Sequence, residues 1–316
     1  MNYIDVAQLN KDIIDWQTRL PRNLDLIVGI PRSGLLAASL LSLYLNLPLT
    51  DVEGLKNGRV LTGGKRINSI ESSNKTKPNL NVLIIDDSLN SGNQLNLVKA
   101  SILRSNLTYN FYYSAVYITP GQEKSVDYYY KIVSSPRIFQ WNLMNSHVIQ
   151  NSCVDIDGVL CVDPTEEEND EGERYIHFLM NAKPFWLPKV KIKALVTCRL
   201  EQYRELTEAW LKKNNILYDS LYMMNLSDKR ARLDYGHARF KAEIFKKAKT
   251  KFFIESSLVQ AEEIVNLTYK PVFCVETMNF LHYDEPKFKK YCKSILHSVL
   301  PDKIYQRFAT LYQKNR

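Results

Sequence analysis

Asp86 and Asp87 stand side by side at the end of the apolar run VLII, and the chain then continues SLNSGNQ. Adjacent carboxylates repel each other and resist burial, so a pair placed there is expected to hold something. Their oxygens can accept from a diol or take a metal ion. The small residues that follow leave backbone N–H groups and the Ser91 hydroxyl to face an anion at a helix start. GIPRSG, residues 29 to 34, repeats the arrangement with Arg32 able to pair with phosphate oxygens. Two phosphate nests on neighbouring elements, one beside an acid pair, suit a sugar diphosphate.

A second constellation begins at CVDIDGVLC. Asp155 and Asp157 are two apart on an extended segment, so they point to the same side, and Gly158 lets the chain turn away. Two acids so close serve as a metal pair, or as a nucleophile and its proton-transfer partner. The histidines (His147, His177, His237, His282, His297) show no ligand spacing and receive no role. Cys153, Cys161, Cys198, Cys274 and Cys292 contain no C-x-x-C or Cys/His metal pattern, so reduced, mostly buried thiols are expected.

Positioning these residues requires an α/β fold. LDLIVGI reads as a strand that PRSG turns into a helix over Leu35–Leu45; NVLIIDD, a helix from GNQLNLVKASILRS, and the strand YNFYYSAVYIT follow. Strand, loop and helix in repetition predict a parallel sheet with helices on its faces. Val52 to Pro78 is rich in Gly, Lys and Ser and reads as a long functional loop. The pattern breaks at PRIFQWNLMNSHVIQNS, which sets a domain boundary near Ser146, giving domains 1–146 and 147–316. The second series comprises CVDIDGVLCVD, KIKALVTCR, the helices EQYRELTEAWLKKNN and HARFKAEIFKKAK, the strand KFFIESS and the helix LVQAEEIVNL. The acidic run EEENDEGE reads as a solvated loop, and the tail after Asn279 as amphipathic helices.

The chain has 316 residues, 45% hydrophobic and 24% charged, as expected of packed domains. A formal net charge of +8 favours anionic ligands. No basic block interleaved with aromatics is present, so no nucleic-acid partner is expected. The N-terminus MNYIDVAQLNKDIIDW lacks the apolar stretch of a signal peptide. LLAASLLSLYLNLPL is about five residues short of a membrane span and is broken by polar residues and proline. A cytoplasmic location without a transmembrane segment is expected; peripheral membrane association and the oligomeric state stay open.

VLIIDDSLNSGNQ resembles the phosphoribosyl-diphosphate (PRPP) motif of the type I phosphoribosyltransferases, and GIPRSG resembles their pyrophosphate loop. The resemblance covers residues 1 to about 145 and implies their fold. It implies that Asp86 and Asp87 hold the ribose hydroxyls and that Asn90, Ser91, Gly92 and Asn93 hold the 5-phosphate, with Ser88 in the same segment. It also implies that Arg32, Ser33 and Gly34 hold a Mg²⁺-bound pyrophosphate, and that Lys65 and Arg66 belong to a lid. Asn90 stands where many purine-salvage members carry an acid that contacts the base, which disfavours a purine acceptor.

From about Ser152 to Thr277 the chain resembles the haloacid dehalogenase (HAD) phosphatases, through DIDGVL, ALVTCR, HARFKAEIF and KFFIESS taken in order. That resemblance implies a Rossmann-like domain in which Asp155 is the nucleophile and Asp157 the acid and base. Thr197 and Lys241 would neutralise the transferring oxygens. Asp155, Asp157 through its backbone carbonyl, and Glu255 would hold Mg²⁺, although IESS departs from the usual aspartates of the fourth motif. Joined in one chain, the two halves imply transfer of 5-phosphoribosyl from PRPP, followed by removal of the 5-phosphate. The expected acceptor is a sugar hydroxyl of a glycan or lipid-linked glycan, as in the bacterial fusions that install ribofuranose in surface polysaccharide. The alternatives are a nucleobase phosphoribosyltransferase, a maker of a nucleoside-like metabolite, and a PRPP-sensing module without turnover.

Overall fold

The computed structural model describes residues 1–61, 79–169 and 172–283. Lys65, Arg66, Cys292, His297 and the tail beyond residue 283 lie outside the described residues. The chain divides into two units, Met1–Asn142 and Leu143–Arg316.

In the first unit the strands are β1 (Asn2–Ile4), β2 (Leu26–Gly29), β3 (Leu49–Asp51), β4 (Asn81–Leu89), β5 (Asn110–Ile118), β6 (Tyr128–Ile132) and β7 (Arg137–Phe139). The helices are α1 (Val6–Trp16), α2 (Gly34–Leu45), α3 (Val52–Lys56) and α4 (Asn93–Leu103). Five strands form a parallel sheet in the order β3-β2-β4-β5-β6, and β1 pairs with β7 in a separate parallel ribbon. A strand buried on both faces must be apolar throughout, which is why β4 contains the run VLII. Leu83 and Ile85 pack on one face with Leu9, Ile13 and Trp16 of α1 and Ala37, Ala38 and Leu41 of α2. Val82 and Ile84 point the other way, onto Leu95, Val98 and Ile102 of α4. The alternation is the strand's period of two.

Three local features depart from the sequence reading. β4 runs two residues past Asp87, because Ser88 and Leu89 continue the ladder against Tyr117 and Ile118 of β5. Part of the expected long loop is ordered: the Asp51 side chain caps Gly54 N–H at 2.6 Å and starts α3, which buries Val52 and Leu55. Leu61 then pairs with Leu49. The third is α1, which the sequence reading did not place. It is capped by Asp5 and buries Leu9, Ile13 and Trp16 on one stripe.

The second unit contains β8 (Ser152–Val154), α5 (Glu173–Asn181), β9 (Ile192–Leu200), α6 (Arg204–Lys213), β10 (Tyr218–Met224) and α7 (Lys229–Tyr235). It continues with α8 (His237–Lys247), β11 (Phe252–Glu255), α9 (Leu258–Thr268), β12 (Val272–Cys274) and β13 (Asn279–Leu281). The sheet order is β10-β9-β8-β11-β12-β13, parallel except for β13. One expectation is corrected here. Asn279–Leu281 is a strand and not the start of a helical tail, because Phe280 packs edge-on between Phe252 and Phe273. Glu166 and Glu167 of the acidic run are exposed in a turn, and the run's last residue, Glu173, opens α5, whose Tyr175, Phe178 and Leu179 form a buried stripe at helical spacing.

Candidate functional site

Each unit gathers its chemistry at the carboxyl edge of its parallel strands, where open α/β sheets bind ligands. In the first unit, Asp86 and Asp87 are both buried, at 9% and 3% exposure. Asp86 Oδ1 accepts from Asp87 N–H at 2.9 Å, and Asp87 Oδ2 accepts from Trp141 Nε1–H at 2.9 Å. Burial, then the Asp87 charge, pushes the Asp86 carboxyl up to about 8.

Gly34 explains how α2 meets this pair. A Cβ there would stand 2.9 Å from the Ile85 carbonyl oxygen and 3.0 Å from Asp86 Oδ1, so only glycine lets the helix start approach β4 so closely. Arg32 is exposed beside it, Ser33 is half-buried, and the Pro31–Arg32 peptide is cis. On the other side, Gly92 at φ +78° opens α4, and no side chain caps the first N–H groups of that helix. Asn90, Ser91 and Asn93 are exposed around it, while Ser88 lies half-buried in β4. The loop is pinned from β5's end, where Thr119 Oγ1–H donates to the Asn90 carbonyl at 2.9 Å. The acids thus sit between two helix starts that can each receive an anion.

Sequence alone did not single out Arg137 or Trp141. Arg137 donates from Nη2 to the Leu89 carbonyl at 2.7 Å and lies over the Phe139 ring, while its Nη1 is buried without a partner. Its charge bears on both acids and partly offsets the rise at Asp86. The available signal was a cation and a tryptophan, four residues apart, in a segment that otherwise read as a domain break.

In the second unit, Asp155 follows the central strand β8, and its N–H donates to the Ile254 carbonyl at 3.0 Å. Lys241, from α8, donates to Asp155 Oδ2 at 2.5 Å, Glu255 Oε2 at 2.7 Å and Gln260 Oε1 at 2.9 Å. All three ionisable groups are buried. Burial pushes Asp155 up, to about 8, against the pull of Lys241 and with a further push from Glu255. Lys241 itself is held well above its ordinary value by the two carboxylates, which overcome its burial. Glu255 Oε1 is satisfied by the N–H groups of Ser256 and Ser257. Thr197 is fully buried near the end of β9, its Oγ1 accepting from Arg199 N–H at 3.3 Å.

Asp157 faces Arg199, which the sequence reading missed. The guanidinium donates from Nη2 to Oδ1 at 2.6 Å and from Nε to Oδ2 at 3.1 Å, and it also reaches Thr207 and lies over Phe178. Arg199 holds Asp157 below the usual carboxylate range although burial works the other way. Asp163 also escaped the sequence reading. Its Oδ2 lies 2.6 Å from where a Cβ on Gly158 would stand, and burial with the Asp157 charge raises its pKa. Arg199 follows Thr197 by two in VTCR, so strand periodicity could have placed it on the same face.

The carboxylate oxygens of this site suit a hard divalent cation in kind. Among the described residues, however, no group of three or more His, Cys, Asp or Glu is arranged to hold a metal ion. Asp157 is turned to Arg199, and Lys241 occupies the space between Asp155 and Glu255.

Residues 2–148 match the family model described as the phosphoribosyl transferase domain. The N-terminal part of the chain is accordingly a PRPP-binding phosphoribosyltransferase domain. Among solved structures, the chain is similar to the xanthine-guanine-hypoxanthine phosphoribosyltransferase of Helicobacter pylori, at 16% identity over 44% of this chain and 92% of that one, TM-score 0.33. A purine phosphoribosyltransferase from Pyrococcus horikoshii matches at 21% identity over 44% and 92%, TM-score 0.33. A hypoxanthine phosphoribosyltransferase from Staphylococcus aureus matches at 17% identity over 40% and 76%, TM-score 0.26. Comparison with curated proteins gives no match.

Proposed function

We propose that the chain transfers 5-phosphoribosyl from PRPP to a hydroxyl of a glycan or lipid-linked glycan, and then removes the 5-phosphate to leave a ribofuranosyl group. The observation that carries this reading is the second constellation. Asp155, Asp157, Thr197, Lys241 and Glu255 come from four separate stretches of sequence and meet at the edge of one sheet, in a chain whose other unit handles PRPP.

In the first step the C1–O bond to pyrophosphate breaks and the acceptor oxygen bonds to C1, with the acceptor's proton released. Asp86 and Asp87 orient the ribose through its hydroxyls, Gly92 and Asn93 present N–H groups to the 5-phosphate, and Arg32 pairs with the departing pyrophosphate. Mg²⁺, in the role resemblance gives it, would offset charge on that pyrophosphate. In the second step an Asp155 oxygen attacks phosphorus, and the ribosyl 5-oxygen leaves with a proton from Asp157, which Arg199 holds ionised in the free protein and which must therefore take up that proton as substrate enters. Water then cleaves the aspartyl phosphate after giving its proton to Asp157. Lys241 and the Thr197 hydroxyl compensate charge on the transferring oxygens. Removing the 5-phosphate makes no sense for a nucleotide product, and Asn90 lacks the charge that would read a purine. Both features favour a sugar acceptor.

The test is incubation with PRPP and Mg²⁺ in the presence of glycan-lipid acceptors or, separately, nucleobases, reading pyrophosphate release. Release that depends on a glycan acceptor is the expected result. Release with a nucleobase and none with glycans would overturn the acceptor assignment, and PRPP binding without release in either arm would make the first unit a sensor.

A further inference from the structure

Among its described residues the second unit contains three strongly buried cations, and they are not treated alike. Arg199 faces Asp157, and Lys241 faces Asp155 and Glu255. Arg232, only 6% exposed, has no carboxylate partner among the described residues. Its Nη2 donates to the Asn169 amide oxygen at 3.2 Å and its side chain bonds to Tyr175, but its Nε–H is buried with no acceptor among the described residues. A buried guanidinium with an unmet donor is costly, and such a cost persists where an anion completes the site.

The neighbours of Arg232 repeat the pattern. His237 Nε2 is also buried and unpartnered. His237 opens α8 one turn before Lys241, so the two side chains share a helix face. Cys198, the residue after Thr197, contacts the His237 carbonyl at 3.8 Å, which ties this face to the end of β9. Burial, then the charges of Arg232 and Lys241, holds His237 below its ordinary value. As the Nε2–H tautomer it is a second unmet donor.

We infer that Arg232 Nε and His237 Nε2 form an oxyanion subsite beside Lys241, which receives the non-transferring oxygens of a substrate phosphate. The inference rests on the reading of the second unit as a phosphomonoester hydrolase, and it adds two substrate contacts to it: Arg232, outside all four motif segments, and His237, which opens HARFKAEIF without a role in that motif. Arg232 stands 23 residues before Glu255 and nine before Lys241, in a helix outside all four motif segments.

The test uses the full chain and inorganic phosphate, titrated calorimetrically at fixed ionic strength. Arg32→Ala serves to identify the heat that belongs to the first unit. In the component that Arg32→Ala leaves intact, Arg232→Gln should weaken phosphate binding at least tenfold, and His237→Phe and Arg232→Lys should weaken it less. In phosphate-free buffer, Arg232→Gln should melt at the same temperature as the parent or higher, because it removes an uncompensated buried charge. Unchanged phosphate affinity in Arg232→Gln would overturn the inference. So would lost affinity accompanied by a lower melting temperature in both Arg232 variants, since that marks a structural strut between α7 and Asn169. Hydrolysis of a phosphomonoester is assayed separately. Arg232-dependent phosphate binding in a chain that hydrolyses nothing would defeat the phosphatase reading while sustaining the subsite.

Discussion

Between about pH 4 and pH 8 the folded chain keeps a proton on Asp86 that the unfolded chain has released, because its carboxyl moves from 3.8 to about 8. A raised carboxyl pKa contributes stability that is fully present below the unfolded value and is lost as pH rises through the folded one. Asp86→Asn removes that loss. Its stability should exceed the parent's by a margin that grows by about 4 kcal/mol from pH 5 to pH 8, read as a growing difference in melting temperature. The same variant should lose the stabilisation that PRPP gives the parent. A margin that stays flat from pH 5 to pH 8 would show that Asp86 is already ionised in the folded protein. Lys241→Met tests the other site in the opposite sense. It strands Asp155 and Glu255 as buried neighbours of like charge, so it should lower stability by about 3–5 kcal/mol and abolish phosphomonoester hydrolysis.

Elements bring these residues together through contacts that leave little room. Gly34→Ala would drive a methyl group against the Ile85 carbonyl and the Asp86 carboxylate, so α2 must retreat from β4. PRPP affinity should fall at least about tenfold, a loss of about 1.4 kcal/mol, with phosphomonoester hydrolysis unchanged; undiminished PRPP affinity would mean that the approach of α2 is not needed. On the far face, α1 is fastened to β5 by Tyr117, whose hydroxyl donates to buried Asp12 at 2.7 Å. Tyr117→Phe leaves that carboxylate short of a donor and should cost about 1–3 kcal/mol in denaturant unfolding. The strands β2, β4, β8 and β11 were legible in sequence because a parallel strand buried on both faces must be an apolar run, and each ends in residues no core would choose. β10 was not, since YDSLYMM buries only its last two residues and mixes polar with apolar positions. The motif residues announced themselves by type and spacing. Arg199, Arg137 and Trp141 did not, because each acts across the sheet on a residue 42, 50 or 54 positions away, a pairing that only the folded register creates.

At the scale of the molecule, each of the two units carries one of the two constellations, and the net charge of +8 suits the phosphate-bearing ligands proposed for them. No helix among the described residues is long and apolar enough to cross a membrane. The phosphoribosyl transferase domain supports the first half of the proposed chemistry. The second half is the claim on which the account turns, and it predicts an order of events: sugar loaded, then phosphate removed. The direct measurement is the product mass after incubating wild-type and Asp155→Asn protein with PRPP, Mg²⁺ and an active acceptor. Wild-type protein should yield the acceptor plus ribosyl, and Asp155→Asn should accumulate the same product heavier by one phosphate. Fully dephosphorylated product from Asp155→Asn would contradict the account.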